Sequence, residues 1–293
     1  MLTVRAPATS ANLGSGFDVF GVALDRPADV VTVERAEETM IEVSGAGAQY
    51  IPEDPAKNTA GVVARELDAP AHIHIDKGVR PSSGLGSSAA SAAAAAVALD
   101  ALYERGHTAE DLVRVAAEGE AAVSGEAHAD NVAPSILGGF TIVRDDGVLS
   151  IDATVPLVAC LPEIVVSTRD ARGVVPRSAE MADVVHTVGS AATLTAGMQR
   201  DDPALVGRGM DERVVTPARA RLIDGYDDVC AAAADAGATG VTVSGAGPAI
   251  LAACHPSRQR AVASAMVEAF EEAGVDARAY RSSVGRGAEI IER

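Results

Sequence analysis

The chain has 293 residues, 48% of them hydrophobic and 22% charged, and 41 acidic against 24 basic residues leave a net charge of −17. A chain of this length buries about 75% of its unfolded surface and needs no disulfide or metal to fold, and the composition excludes a disordered or collagen-like chain. The acidity argues against a nucleic-acid or anionic-membrane partner, and four Phe, four Tyr and no Trp leave little for base stacking.

The first strand is predicted at residues 3–8, running into a loop, Ala11-Asn12-Leu13-Gly14-Ser15-Gly16-Phe17-Asp18, dense in small and polar residues. Strand-like sequence follows at 19–24, and alternating runs at 29–34 and 40–44 predict two more strands. A helix is expected over 57–67 and a strand over 71–75. A second Gly/Ser loop, 81–88, then opens directly into an Ala-rich helix ending at Tyr103. Beyond it come a helix at 109–123, a helical turn containing Asn131, and a hairpin of 140–144 and 148–151 around Asp145-Asp146-Gly147. The pattern restarts after Pro156 with a strand at 157–166, helices near 179–197 and 204–211, and strands at 240–244 and 249–253 around a third Gly/Ser loop. A helix at 257–273 and strands at 277–280 and 287–292 close the chain. The expectation is two intimately packed α+β halves, 1–152 and 153–293, without repeats or a low-complexity linker.

No run of about 18 strongly apolar residues occurs, and the opening Met1-Leu2-Thr3-Val4-Arg5 lacks the regions of a signal peptide. A soluble, cytoplasmic protein is therefore expected. Cys160, Cys230 and Cys254 are odd in number and widely spaced, so neither a disulfide framework nor a zinc site is indicated, and they are expected as small buried hydrophobes. Lysine occurs only at 57 and 77. High-GC coding bias would explain arginine over lysine but not the net charge. An acidic surface adapted to molar salt, where screening suppresses self-repulsion, accounts for both.

The strongest local feature is Pro81-Ser82-Ser83-Gly84-Leu85-Gly86-Ser87-Ser88-Ala89-Ala90. Small residues let the backbone approach a ligand, and the helix that follows presents N–H groups at its positive end, a ready anion site. The bland alternative is a Gly/Ser loop with a serine capping the helix. It is not a P-loop, which requires a lysine, and the partial Gly84-x-Gly86-x-x-Ala89 match to a dinucleotide fingerprint lacks its acidic residue about 20 positions on. Magnesium would want a hard oxygen ligand beside phosphates, and Glu118 and Glu120 are the candidates. In so acidic a chain, a solvated surface role is the commoner one for either.

Three stretches, 7–21, 84–90 and Ser244-Gly245-Ala246-Gly247-Pro248, resemble in order and spacing the three motifs of the GHMP kinases. Within that superfamily the first motif and His128-Ala129-Asp130-Asn131-Val132-Ala133-Pro134, followed by Gly138-Gly139-Phe140, are similar to the homoserine kinases. The resemblance covers the whole chain. It implies an α+β fold of two domains, the first like ribosomal protein S5 domain 2 and the second ferredoxin-like. It also implies ATP on the central loop, magnesium on Ser88 and Glu120, and L-homoserine as phosphoryl acceptor on the way to threonine. Arg172 and Arg219 match the carboxylate-binding arginines, Asp18 and Asn131 the ammonium-binding positions, Asn12 a position near the reactive hydroxyl, and His128 and Thr168 further pocket positions. No clear general base is evident; Asp130 is a conceivable one. A homodimer is expected by family analogy. Ser15 stands where these kinases usually carry proline, which should loosen the first turn. Pro81 sits one residue closer to the glycines than usual, which bears on the adenosine end of the loop.

Three rivals stay open at this point: a GHMP kinase for another alcohol such as shikimate or mevalonate, a non-catalytic nucleotide-binding protein on the same fold, and a dinucleotide-dependent oxidoreductase. The first lacks a use for Asp18 and Asn131. The second would be expected to lose Glu120 or the serine pair.

Overall fold

The computed structural model describes residues 1–125 and 127–293 and contains two sheets, one of seven strands and one of four. Strands β1 (Leu2–Ala11) and β2 (Phe20–Arg35) form a long antiparallel pair. Sequence pattern alone suggested two strands on either side of Pro27, but β2 is continuous. The β1–β2 register shifts between Pro7 and Thr9, so Pro27 falls where the ladder is interrupted and its missing N–H is not needed. β3 (Met40–Gly45) runs parallel to β4 (Ala71–Lys77), and β4 pairs with β2, placing Val31 and Val33 opposite Ile75 and Ile73.

Four helices accompany this sheet: α1 (Thr59–Glu66), α2 (Ser87–Tyr103), α3 (Ala109–Ser124) and α4 (Ala129–Leu137). Asn58 caps α1 by accepting from the Ala60 N–H, and Thr108 with Asp111 forms a capping box at α3. Ala89, Ala92–Ala96 and Ala98 of α2 are all buried in one core with Val4, Val31, Ile73 and Ile75. A helix apolar all round is a buried helix, and methyl side chains let its backbone lie close to β1 and β2. The hairpin of β5 (Phe140–Arg144) and β6 (Gly147–Ile151) extends from the start of β2.

The second sheet holds β7 (Pro156–Pro162), β8 (Ala238–Val243), β9 (Ile250–Cys254) and β10 (Ala277–Ser283) in the order β10-β7-β9-β8. Around it lie α5 (Thr168–Gly173), α6 (Met181–Gln199), α7 (Pro203–Gly209), α8 (Val215–Ala220), α9 (Tyr226–Asp235) and α10 (Gln259–Glu272). Period two along β7 sends Val158 and Cys160 into a core with α9 and α10 residues. Leu157, Ala159 and Leu161 enter a different core shared with Leu13, Phe20, Leu85 and Phe140 of the first half. That shared core holds the two halves together.

The structure departs from expectation elsewhere too. The final strand, β11 (Glu289–Glu292), pairs with β1, so the chain end returns to the first sheet and covers its edge. β7 ends at Pro162 rather than near 166. Helices α5, α8 and α9 were not anticipated; α5 and α8 have six residues each, too few to show a helical period. Cys160 and Cys254 are buried, but Cys230 is only partly so. Among the described residues no helix is long and apolar enough to cross a membrane.

Candidate active site

The three glycine-rich loops meet between the halves. The Gly245 N–H donates to the Ala11 carbonyl, the Ala249 N–H to the Ser83 carbonyl and the Thr9 N–H to the Leu85 carbonyl, each at 3.1 Å. The Ser244 hydroxyl lies 2.7 Å from the Gly84 carbonyl oxygen and 2.8 Å from the Ser10 hydroxyl, joining all three. Two glycines are required here. At Gly84 (φ +77) a Cβ would sit 2.6 Å from the Ser244 carbonyl oxygen, and at Gly86 (φ +63) one would sit 2.0 Å from Thr9 Oγ1. Ser15 does not loosen the first loop. It is buried and donates at 2.6 Å to the Gly209 carbonyl, a tether that proline could not make.

A cavity of about 330 Å³ opens along these loops. Pro81, Ser82, Ser83, Gly84, Gly86, Ser87, Ser88 and Ala89 line it, as do Gly245, Ala246 and Gly247. Leu85 and Ala90 instead point into the core shared by the halves and offer only backbone, and Ser244 stands behind the lining. The N-cap of α2 is Gly86, not a serine, and no side chain caps the helix. Its first N–H groups are therefore available to an anion at the positive end of the helix. Ser87 Oγ donates to the Val79 carbonyl at 2.7 Å.

Ser88 Oγ donates to Glu120 Oε2 at 3.0 Å, and both residues line the cavity at the start of α2. Burial pushes the Glu120 carboxyl up to about 7, against the lowering effect of the Ser88 hydrogen bond and of Lys77. A hydroxyl and a carboxylate side by side are a hard-oxygen donor pair. Among the described residues no group of three or more His, Cys, Asp or Glu could hold a metal on its own. Two protein oxygens completed by phosphate oxygens is the way magnesium is commonly held, so the pair fits that ion. Glu118 is exposed.

The cavity also carries charge of both signs. Arg172, on α5, donates from Nη1 to Asp18 Oδ2 at 2.6 Å. Arg219, on α8, is buried, and donates to the Gly245 carbonyl at 2.7 Å and the Ala171 carbonyl at 3.4 Å. Its guanidinium is destabilised by burial and by Arg172 nearby, and supported by Asp18 and Asp130. Asn12 (φ +71) spans two loops, with Nδ2 donating to the Gly245 carbonyl and Oδ1 accepting from the Asp18 N–H, both at 3.0 Å. Asn131 accepts from Thr9 Oγ1 at 2.9 Å. Asp130 is buried, and that burial together with Asp18 raises its carboxyl to about 6. His128 precedes α4, Thr168 opens α5, and both line the same cavity.

Profiles of known families match this layout. The GHMP kinases N terminal domain matches residues 55–139, and the GHMP kinases C terminal domain residues 194–272. A homoserine kinase of Natronomonas pharaonis is 70% identical over 291 residues, covering 99% of this chain and 100% of that protein. One from Haloquadratum walsbyi is 72% identical with the same coverage. The crystal structure of homoserine kinase from Cytophaga hutchinsonii superposes with a TM-score of 0.91 at 36% identity, over 99% of this chain and 97% of that one.

The chain belongs to the homoserine kinase family of GHMP kinases.

Several residues of this GHMP kinase escaped the sequence reading. Lys77 lies beneath the central Gly/Ser loop, paired with Asp29 and donating to the Ser87 carbonyl at 2.7 Å and to Ser91 Oγ at 2.8 Å. Asp29 also accepts from the Gly78 and Val79 N–H groups. Burial pushes the Lys77 ammonium down while Asp29 pulls it up. The kinase thus has a lysine at its loop although it has no P-loop lysine. A signal existed: Lys77 is in phase with Ala71, Ile73 and Ile75, the buried face of β4. Tyr50, Ile51, Pro52 and Lys57 line the same cavity, and nothing in their pattern marked them.

Proposed function

We propose that this kinase transfers the γ-phosphoryl group of ATP to the side-chain hydroxyl of L-homoserine, giving ADP and O-phospho-L-homoserine, a threonine precursor, in the cytoplasm. The observation that carries the reading is the Arg172–Asp18 pair, set with Arg219 in the cavity that the phosphate loop opens on. An α-amino acid presents a carboxylate and an ammonium two bonds apart. A guanidinium and a carboxylate in hydrogen-bond contact are its electrostatic complement, and the substrate can replace each partner with its own opposite charge.

The triphosphate lies along Gly84–Ala89, its charge met by the N–H groups of α2, with the nucleoside toward Tyr50 and Pro52. Ser88 and Glu120 are the residues to hold Mg2+, which supplies charge neutralisation at the phosphates when bound. Arg172 and Arg219 take the substrate carboxylate, Asp18 and Asn131 its ammonium, and Asn12 lies toward the hydroxyl, with His128 and Thr168 shaping the pocket. The hydroxyl oxygen attacks the γ-phosphorus in line and the bond to ADP breaks, with catalysis coming from positioning and charge. In a loose transition state the hydroxyl proton leaves late and passes to an oxygen of the transferred phosphoryl group or to water, so Asp130 is not needed as a base.

A second reading, a kinase for a hydroxy acid such as shikimate or mevalonate, would use the arginines but give Asp18 no substrate ammonium to bind. ADP release with L-homoserine, shikimate, mevalonate or no acceptor, assayed in molar KCl, separates them. Turnover with homoserine alone is expected, and turnover with a hydroxy acid instead would remove the Asp18 assignment. The exposed apolar face of α6, with Met181 73%, Val185 66% and Val188 64% exposed, supports a homodimer, which sedimentation would test.

A further inference from the structure

We infer that Phe17 is a positioning residue that sets the spacing of the two arginines, and so tunes affinity for the acceptor's carboxylate. The inference rests on the carboxylate-clamp reading of Arg172 and Arg219. The guanidinium carbons of both lie over the Phe17 ring, at 5.2 Å for Arg172 and 5.1 Å for Arg219 from its centroid. The arginines come from different helices, α5 and α8, and the ring lies against both charges.

Two guanidinium groups brought to one small site repel, and Arg172 is one of the causes that weaken protonation of Arg219. Part of that repulsion is offset by named groups. Asp18 accepts from Arg172, and the Ala171 and Gly245 carbonyls accept from Arg219. The Ala171 contact already ties Arg219 to the backbone beside Arg172, and the Phe17 ring adds a face that lies against both guanidinium groups. An aromatic face attracts a cation within about 6 Å, more strongly where water is excluded, and Arg219 is buried. The ring therefore gives both guanidinium groups a common reference through their faces, while their N–H edges point to hydrogen-bond acceptors.

Phe17 immediately precedes Asp18, whose backbone N–H is held by Asn12 Oδ1. One turn of chain thus carries the ring that places the two cations and the carboxylate that balances them. An acceptor's carboxylate and ammonium are measured against adjacent residues of a single loop. A ring displaced by a fraction of an ångström would misplace both arginines together, whereas loss of either arginine would remove only one.

The test replaces Phe17 with 4-fluoro-, 3,5-difluoro- and pentafluorophenylalanine, which keep the ring while stepwise weakening its negative face. The KM for L-homoserine is expected to rise along the series, reaching about tenfold with the pentafluoro ring, while the KM for ATP stays within about twofold. Phe17→Tyr should preserve the homoserine KM and Phe17→Leu should raise it. A homoserine KM that is flat across the fluorinated series overturns the inference, even if Phe17→Leu is impaired, because the ring then only fills space. Wild-type enzyme is assayed in parallel with 2-aminobutane-1,4-diol, which lacks the carboxylate. Poor use of the diol supports the clamp; if it is used as well as homoserine, the clamp itself falls, whatever the fluorinated series shows.

Discussion

Arg172 and Asp18 are 154 positions apart in sequence and 2.6 Å apart in the fold. Their side chains are 35% and 47% exposed, and a pair so open to water holds only about 0–1 kcal/mol. The pair is thus easily exchanged for a substrate's own charges. Arg172→Ala and Asp18→Ala are each expected to lower kcat/KM for L-homoserine by about a hundredfold or more, the ~3 kcal/mol typical of removing one partner of a desolvated charged contact. The KM for ATP, read in the same coupled assay, should stay within about threefold. An equal loss in ATP affinity would mean the pair only holds the halves together.

Glu120 joins function to stability with opposite signs. Its carboxyl is raised from 4.5 to about 7 by burial, so between those values the folded state binds the extra proton. The associated stability is complete below about 4.5 and is lost as pH rises through about 7. Glu120→Gln is therefore expected to melt higher than wild type at pH 8 in EDTA, by an amount on the order of 3 kcal/mol, while Mg-dependent turnover collapses. In wild type the Mg2+ half-saturation should rise as pH falls below about 7. A lower melt for Glu120→Gln at pH 8 would contradict the electrostatic account.

Lys77 and Asp29 make a fully buried ion pair. Removing one partner leaves an uncompensated charge, so Lys77→Met should cost about 3–5 kcal/mol in urea denaturation. The double variant Asp29→Asn, Lys77→Met should recover much of that, because Asn Oδ1 can still accept the Gly78 and Val79 N–H groups. A double variant as unstable as the single one would show that the bonds to Ser87 and Ser91 carry the effect.

Asp130, buried and raised to about 6, has the surroundings of a base. Late proton loss in a loose transition state makes one unnecessary. Asp130→Asn is accordingly expected to keep more than about a tenth of kcat at pH 8, whereas a loss of about 10³-fold or more would establish a base.

The net charge of −17 predicts a salt-dependent fold. Self-repulsion is screened within about 3 Å at 1 M salt, so the thermal midpoint should rise by at least about 10 °C from dilute buffer to molar KCl. An unchanged midpoint would leave the acidity unrelated to salt.

Motif order was legible because glycine and serine at close approaches, and an Ala-rich helix behind them, are local demands that any sequence must meet on the spot. Gly84 and Gly86 are needed for their φ values and their contacts with other loops, and Ser88 follows in register on the first turn of α2. The strands of the first half were partly readable from period two, although the strand expected over 71–75 stopped short of Lys77, which is in phase with Ile73 and Ile75. Helices α5 and α8 were not, although they deliver Arg172 and Arg219. A six-residue helix has hardly more than one turn, and its formation depends on packing rather than on its own periodicity.

By itself the sequence determined the fold class, the Gly/Ser loop opening into an Ala-rich helix and the acidic charge balance, since each depends on residue type and near-neighbour spacing. Only the tertiary structure decided that Leu85 and Ala90 face a core, that Gly86 at the N-cap of α2 packs against Thr9, and that Phe17 lies against two arginines. Those relations join segments up to about two hundred residues apart, and through-space contact of that range is set by how the two halves share one core, which no local pattern encodes.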